Sequence, residues 1–137
     1  MKVALAQIDT TAGDLRGNRE KILSVYRRAC GLGADLSVFP ELSLPGYPPK
    51  DLLDQDDFIR AGLRELKALA RSAGRGGLIV GCVEPNSSGR GKPFHNAAAL
   101  LHRGKIAARR YKTLIPTYDV FDEGRYFEPA PSNTPVG

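Results

Sequence analysis

The chain opens on a short apolar run, KVALAQI, closed by the polar stretch DTTAGD. With β-branched Val3 and Ile8 inside it, the run predicts a first strand over Lys2–Ile8. Apolar residues then recur at helical spacing, Ile22, Val25, Tyr26, Ala29 and Leu32, and predict a helix capped by Asn18 and ended by Gly31 and Gly33. Asp35 to Phe39 returns to a short apolar run and reads as a second strand. Strand, amphipathic helix and strand form a βαβ unit, whose parallel strands are normally buried on both faces.

A second helix is expected from about Asp56 to Ser72. Ile59, Leu63, Leu66 and Ala70 line one side, Arg60, Arg64, Glu65 and Lys67 lie elsewhere, and Gly74, Gly76 and Gly77 stop it. GLIVGCV, residues 77–83, is the third strand, and EPNSSGRGKP, 84–93, is an exposed loop of turn-forming residues. HNAAALLHRGKIAARRYK then predicts an antiparallel hairpin turning at Arg103 and Gly104. From Pro116 the period disappears: PTYDVFDEGRYFEPAPSNTPVG has four prolines, two tyrosines and two phenylalanines but no helical or strand repeat. Its last residues, SNTPVG, have the composition of a connector into further structure.

Composition narrows the function classes. The 137 residues are 42% hydrophobic, enough for one domain with one core, and no apolar run approaches the roughly 20 residues a membrane helix needs. Met1 and Lys2 lead straight into the first strand without the regions of a signal peptide, so a cytoplasmic location is the expectation. The net charge of +5 is spread along the chain among 15 acidic residues, and pairs such as Arg27–Arg28 and Arg109–Arg110 read as solvated faces, not as a nucleic-acid stripe. Cys30 and Cys82 stand far apart with no CxxC or Cys/His grouping, which argues against a zinc site and a disulfide framework.

Candidate chemistry lies at strand ends. LSVFPELSLPGYPPKDLL carries a buried-strand pattern into Pro40–Glu41, and a carboxylate there must be hydrated, paired or functional. Lys112 follows the second hairpin strand in RRYKTLIP, and Glu123 sits in VFDEGRYF. Segments just beyond strand ends gather along one edge of an α/β sheet, where a carboxylate base and a lysine can serve attack on a carbonyl. On spacing alone, a structural ion pair between Glu41 and Lys112, or two residues facing water, is the simpler reading.

The motifs add to that reading. MKVALAQIDTTAGDLRGNREKI, DLSVFPELSLPGYPPKDLL, IVGCVEP and HNAAALLHRGKIAARRYKTLIPTYDVFDEGRYFEP together resemble the nitrilase superfamily of carbon-nitrogen hydrolases. Within it, GYPPKDLL and YDVFDEGRYFEP are similar to the glutaminase domain of glutamine-dependent NAD synthetases; Lys50 and Pro116–Thr117 are small departures from that branch. The resemblance implies an α/β fold of the α-β-β-α sandwich type and a Glu-Lys-Cys triad. It makes Glu41 the general base, Lys112 the oxyanion-stabilising lysine and Glu123 an additional orienting glutamate. Tyr47 and Tyr118 would line the pocket for the glutamine side-chain amide.

In the family the nucleophilic cysteine lies on a strand beyond the YFEP segment. The resemblance therefore implies that residues 1–137 are the N-terminal part of a glutaminase domain, without that cysteine and without a synthetase domain, since no SGGxDS-like loop occurs here. Cys82, inside an apolar strand, is expected to be a buried inert thiol, and Cys30, on the first helix, is a weaker candidate still. No cofactor or metal is expected for this portion; ATP and magnesium would belong to the synthetase domain. Glutamine is the implied small-molecule substrate, a homo-oligomer is expected, and neither nucleic acid nor membrane is. A stand-alone amidase of the same superfamily and a non-catalytic module are the alternatives.

Overall fold

The computed structural model describes residues 1–119 and 121–131. Five strands, β1 (Val3–Leu5), β2 (Leu36–Val38), β3 (Gly77–Pro85), β4 (Phe94–His102) and β5 (Lys105–Tyr111), form one sheet in sequence order. β1, β2 and β3 run parallel, and β3, β4 and β5 antiparallel. The crossovers β1 to β2 and β2 to β3 carry helices α1 (Leu15–Gly31) and α2 (Asp56–Ser72). The βαβ unit, the second helix and the hairpin stand where the hydrophobic pattern puts them. The first two strands are shorter than their apolar runs, with Ala6 N donating to Val38 O at 2.9 Å as the chain leaves β1.

One face of the sheet is dry. Ser37, Phe39, Leu78, Val80, Cys82, Ala97, Ala99 and Leu101 alternate inward and are buried against Ile22 and Tyr26 of α1 and Leu66, Leu69 and Ala70 of α2. The other face carries the cross-strand row Leu5, Val38, Ile79, Leu100, Ala108, none of them buried. The fold is α/β, and the described residues make one helix layer on one sheet layer of the α-β-β-α type. No helix among them is long and apolar enough to cross a membrane.

Asn18 is not the cap of α1. Asp14 holds that position, accepting a hydrogen bond from Gly17 N at 2.9 Å. Asn18 lies one turn inside the helix, fully buried, accepting from Thr11 N and donating to Thr11 O and Leu44 O. It ties the loop after β1 to the loop after β2, a tertiary task that local spacing cannot distinguish from capping. At the β4–β5 turn, Arg103 and Gly104 both have positive φ, 48° and 78°, as a two-residue hairpin turn with the twist of its strands requires.

The segment after Pro116 is anchored without a regular period. A 3-10 turn spans Glu123–Arg125, Phe94 N donates to Tyr126 O, and Glu128 N donates to Phe94 O at 2.7 Å. Tyr126 and Phe127 pack with Leu42 and Leu53 in a second small core beneath the turn after β2. The suggested connector SNTPVG lies outside the described residues.

Candidate active site

Glu41 is delivered by a turn that crosses directly over β3. Phe39 N donates to Ile79 O, extending β2 by one bond, and Leu44 N donates to Gly81 O at 3.0 Å after the turn. Gly81 N in turn donates to the buried Ser43 Oγ at 3.2 Å. Between these clamps Leu42 adopts φ +47°, a left-handed conformation uncommon for a residue with a side chain, and its leucyl group is wholly buried. That burial, with the clamps on either side, holds the strained turn in place and leaves Glu41 pointing out of it.

Lys112 comes from the end of the edge strand β5. The residue leaves β5 with its N–H donating to Asn96 O at 2.8 Å, while its own carbonyl accepts from Ala130 N at 2.9 Å. Its ammonium donates to Glu41 Oε1 at 2.7 Å, to Glu123 Oε2 at 3.0 Å and to Glu123 Oε1 at 3.3 Å. Residues 71 apart in sequence, Glu41 and Lys112, are thereby in contact. Glu123, at the head of the 3-10 turn, is the buried member, 7% exposed against 46% for the Glu41 side chain. The exposed carboxylate is the one able to meet a substrate, and the buried one is enclosed by partners.

Tyr47 hydroxyl donates to Glu123 Oε1 at 3.4 Å. Burial first, then the negative charge of Glu123, pushes its phenol above the ordinary tyrosine range, so the proton stays on it. Lys112 feels two opposed effects: partial burial pulls its ammonium down, and the hydrogen bonds to Glu41 and Glu123 outweigh that and raise it. Tyr118, 70% exposed, joins Tyr47, Phe121, Glu41, Lys112 and Glu123 around an open cavity of about 470 Å³. All five residues singled out in the sequence thus border one cavity. Among the described residues there is no cluster of three or more His, Cys, Asp or Glu side chains able to hold a metal ion.

Asn96 is the participant that sequence reasoning missed. It lies in the apolar run HNAAALLH, is 4% exposed, and its Nδ2 donates to Glu41 Oε1 at 2.6 Å and to Glu123 Oε2 at 3.4 Å. A lone amide interrupting a buried strand is the signal that could have found it, because such a group requires partners.

The two thiols are elsewhere. Gly81 faces the Glu41 turn, and successive strand residues point to opposite faces, so Cys82 points away into the helix-covered core. Burial first, then the charge of Glu84, pushes its thiol up to about 12. Cys30 is on α1, beside Tyr26 and Gly76.

Comparison with known proteins bears on this site. The sequence profile of the carbon-nitrogen hydrolases matches residues 2–137. A glutamine-dependent NAD(+) synthetase of Synechocystis sp. is 42% identical over 132 residues, covering 93% of this chain and 24% of the relative. The structure of the glutamine-dependent NAD+ synthetase of Acinetobacter baumannii, in complex with ADP, superposes with a TM-score of 0.85 at 32% identity, over 93% of this chain and 24% of that one. A Glu-to-Gln mutant of the amidase from Nesterenkonia sp. AN1, in which acrylamide has added to the active-site cysteine, superposes with a TM-score of 0.76 at 26% identity, over 96% of this chain and 50% of that one. The chain thus spans about a quarter of the length of the curated relatives it matches.

Proposed function

The chain belongs to the carbon-nitrogen hydrolase family, and from that premise we propose that Glu41, Lys112 and Glu123 are the proton-transfer and oxyanion-stabilising part of a glutamine amidohydrolase site. The observation that carries the proposal is the double contact of Lys112 Nζ, 2.7 Å from Glu41 and 3.0 Å from Glu123. A structural ion pair needs one carboxylate. Two carboxylates around one ammonium, one buried and one half-exposed beside an open cavity, suit a base and a fixed counter-charge.

The nucleophile in this reading is a cysteine other than Cys30 and Cys82, supplied from outside these 137 residues. The amidase neighbour, with its acrylamide-modified active-site cysteine, supports a cysteine as the nucleophile of such a site. Glu41 accepts the thiol proton as sulfur attacks the side-chain amide carbon of glutamine, and Lys112 donates a hydrogen bond to the oxygen as it becomes an oxyanion. Glu41 then returns the proton to the departing nitrogen, and ammonia leaves a thioester. Water attacks the thioester with Glu41 again as base, which releases glutamate and regenerates the thiol. Tyr47 and Tyr118 line the substrate cavity, and Glu123 keeps Lys112 charged and aimed.

The names of the Synechocystis and Acinetobacter relatives support glutamine as the amide and NAD synthesis as the use of the ammonia. The consuming step would be ATP- and magnesium-dependent amidation of nicotinic acid adenine dinucleotide, in a further domain of a longer polypeptide. The test uses the full-length protein that carries this segment, assayed for NAD formation with glutamine and separately with ammonium. Lys112→Ala should lower the glutamine-driven rate by about 100-fold or more and leave the ammonium-driven rate near wild type. Equal loss of both rates would make Lys112 a support of folding or assembly and overturn the assignment.

A further inference from the structure

We propose that Asn96 is a positioning residue that selects which oxygen of Glu41 acts as the base, and that it works because it is a neutral donor. This rests on the reading of Glu41 as the general base. The main chain of Asn96 is held in the β3–β4 ladder opposite Val83, and its carbonyl accepts from Lys112 N. Its side-chain amide is buried and spans both carboxylates, at 2.6 Å to Glu41 Oε1 and 3.4 Å to Glu123 Oε2. One strand residue therefore touches all three members of the cluster.

The division of labour on Glu41 follows from these contacts. Oε1 takes both donors, Asn96 and Lys112; among the described residues, Oε2 takes none. The occupied oxygen anchors the carboxylate, and the other is left toward the cavity to accept a proton. Lys112 alone would be a loose anchor, since an ammonium on four methylenes can follow a rotating carboxylate, whereas a short amide on a hydrogen-bonded strand cannot.

The neutrality of the amide matters because of what surrounds it. Glu41 from the turn after β2, Lys112 from the end of β5, Glu123 from the 3-10 turn and Tyr47 from the loop before Lys50 face the same space. A second cation at position 96 would hold Glu41 ionised and weaken it as a base, and a third carboxylate would repel the two already present. An amide orients Glu41 without adding a charge to the cluster.

The test measures kcat and KM for glutamine against pH in the full-length protein, with ammonium-driven synthesis as the internal control. Asn96→Ala should lower kcat between about 10- and 100-fold with KM changed less than about threefold, the scale on which a misplaced catalytic group costs rate. Asn96→Asp should behave differently. The new carboxyl can donate to Glu41 only while it holds its proton, so the ratio of variant to wild-type activity should fall as pH rises.

An Asn96→Ala rate within about twofold of wild type, or an Asn96→Asp ratio flat across the pH range, would overturn the proposal. Parallel loss of the ammonium-driven rate would also overturn it, by showing a structural role. The functional reading fails separately. A wild-type protein that hydrolyses another amide but not glutamine overturns the substrate, and the Asn96 comparison is then made on that amide; a wild type that hydrolyses no amide overturns both.

Discussion

Gly81 of β3 lies directly beneath Leu42 of the turn that presents Glu41. A Cβ at position 81 would overlap the Leu42 backbone nitrogen, stand 2.6 Å from Pro40 O and 2.7 Å from Glu41 C. These are backbone atoms, held on both sides by Gly81's own bonds to Ser43 and Leu44, so no flexible side chain can give way.

Gly81→Ala should therefore destabilise the fold by about 1–3 kcal/mol, the usual cost of overpacking, and lower the glutamine-driven rate more than the ammonium-driven one. Denaturant unfolding and the paired assay check this. A variant with wild-type stability and glutamine use would mean that the turn can ride outward and that Glu41 does not depend on its clamp.

The Lys112 ammonium should titrate above the bulk of the lysines. Burial lowers its pKa and the bonds to Glu41 and Glu123 more than restore it, so the folded value exceeds the unfolded one of about 10.4. A raised folded value means that the cluster's contribution to stability is complete below about pH 10.4 and is lost as pH rises through the folded pKa. Carbon-13 NMR of dimethylated lysines should show one late-titrating signal, and Glu41→Gln should bring it down. A Lys112 signal titrating at or below the others would contradict the geometry.

Cys82 should be silent to alkylation in the folded protein. With its thiol pushed up to about 12 by burial and by Glu84, the residue holds its proton at neutral pH, and the core excludes the reagent. Iodoacetamide followed by peptide mass mapping should label Cys82 only after denaturation, and Cys82→Ser should leave glutamine use unchanged. Labelling in the native state together with loss of glutamine use in Cys82→Ser would make Cys82 the nucleophile.

How much of this could be read from the chain follows from the range of each interaction. α2 runs Asp56–Ser72 as its apolar spacing predicts, and the hairpin turns at Arg103 and Gly104, because a helix face and a two-residue turn are decided by neighbours a few positions apart. The apolar run that ends in Pro40–Glu41 likewise marks a carboxylate at the mouth of a strand. Chain position past strand ends also picked out Lys112 and Glu123 and put them along one sheet edge with Glu41, while the family motifs added Tyr47 and Tyr118; none of this gave the contacts by which they meet.

Other features belong to the folded molecule alone. Asn18 has the composition and position of a cap, yet its amide bridges Thr11 and Leu44; only the packing of two loops against α1 separates the roles. Asn96 looks like an interruption in an apolar strand until β4 is laid beside β3 and β5, which brings Glu41 from 55 residues away and Glu123 from 27 to the same amide. The aromatic stretch around Glu123 has no period to read, since it is held by isolated anchors, Tyr126 and Phe127 on Leu42 and Leu53. Sequence by itself determined the elements and the kinds of residue at their ends, through short-range periodicity and steric preference. The tertiary structure decided which of those residues meet around one cavity, because sheet register and turn clamps act between positions that carry no local record of each other.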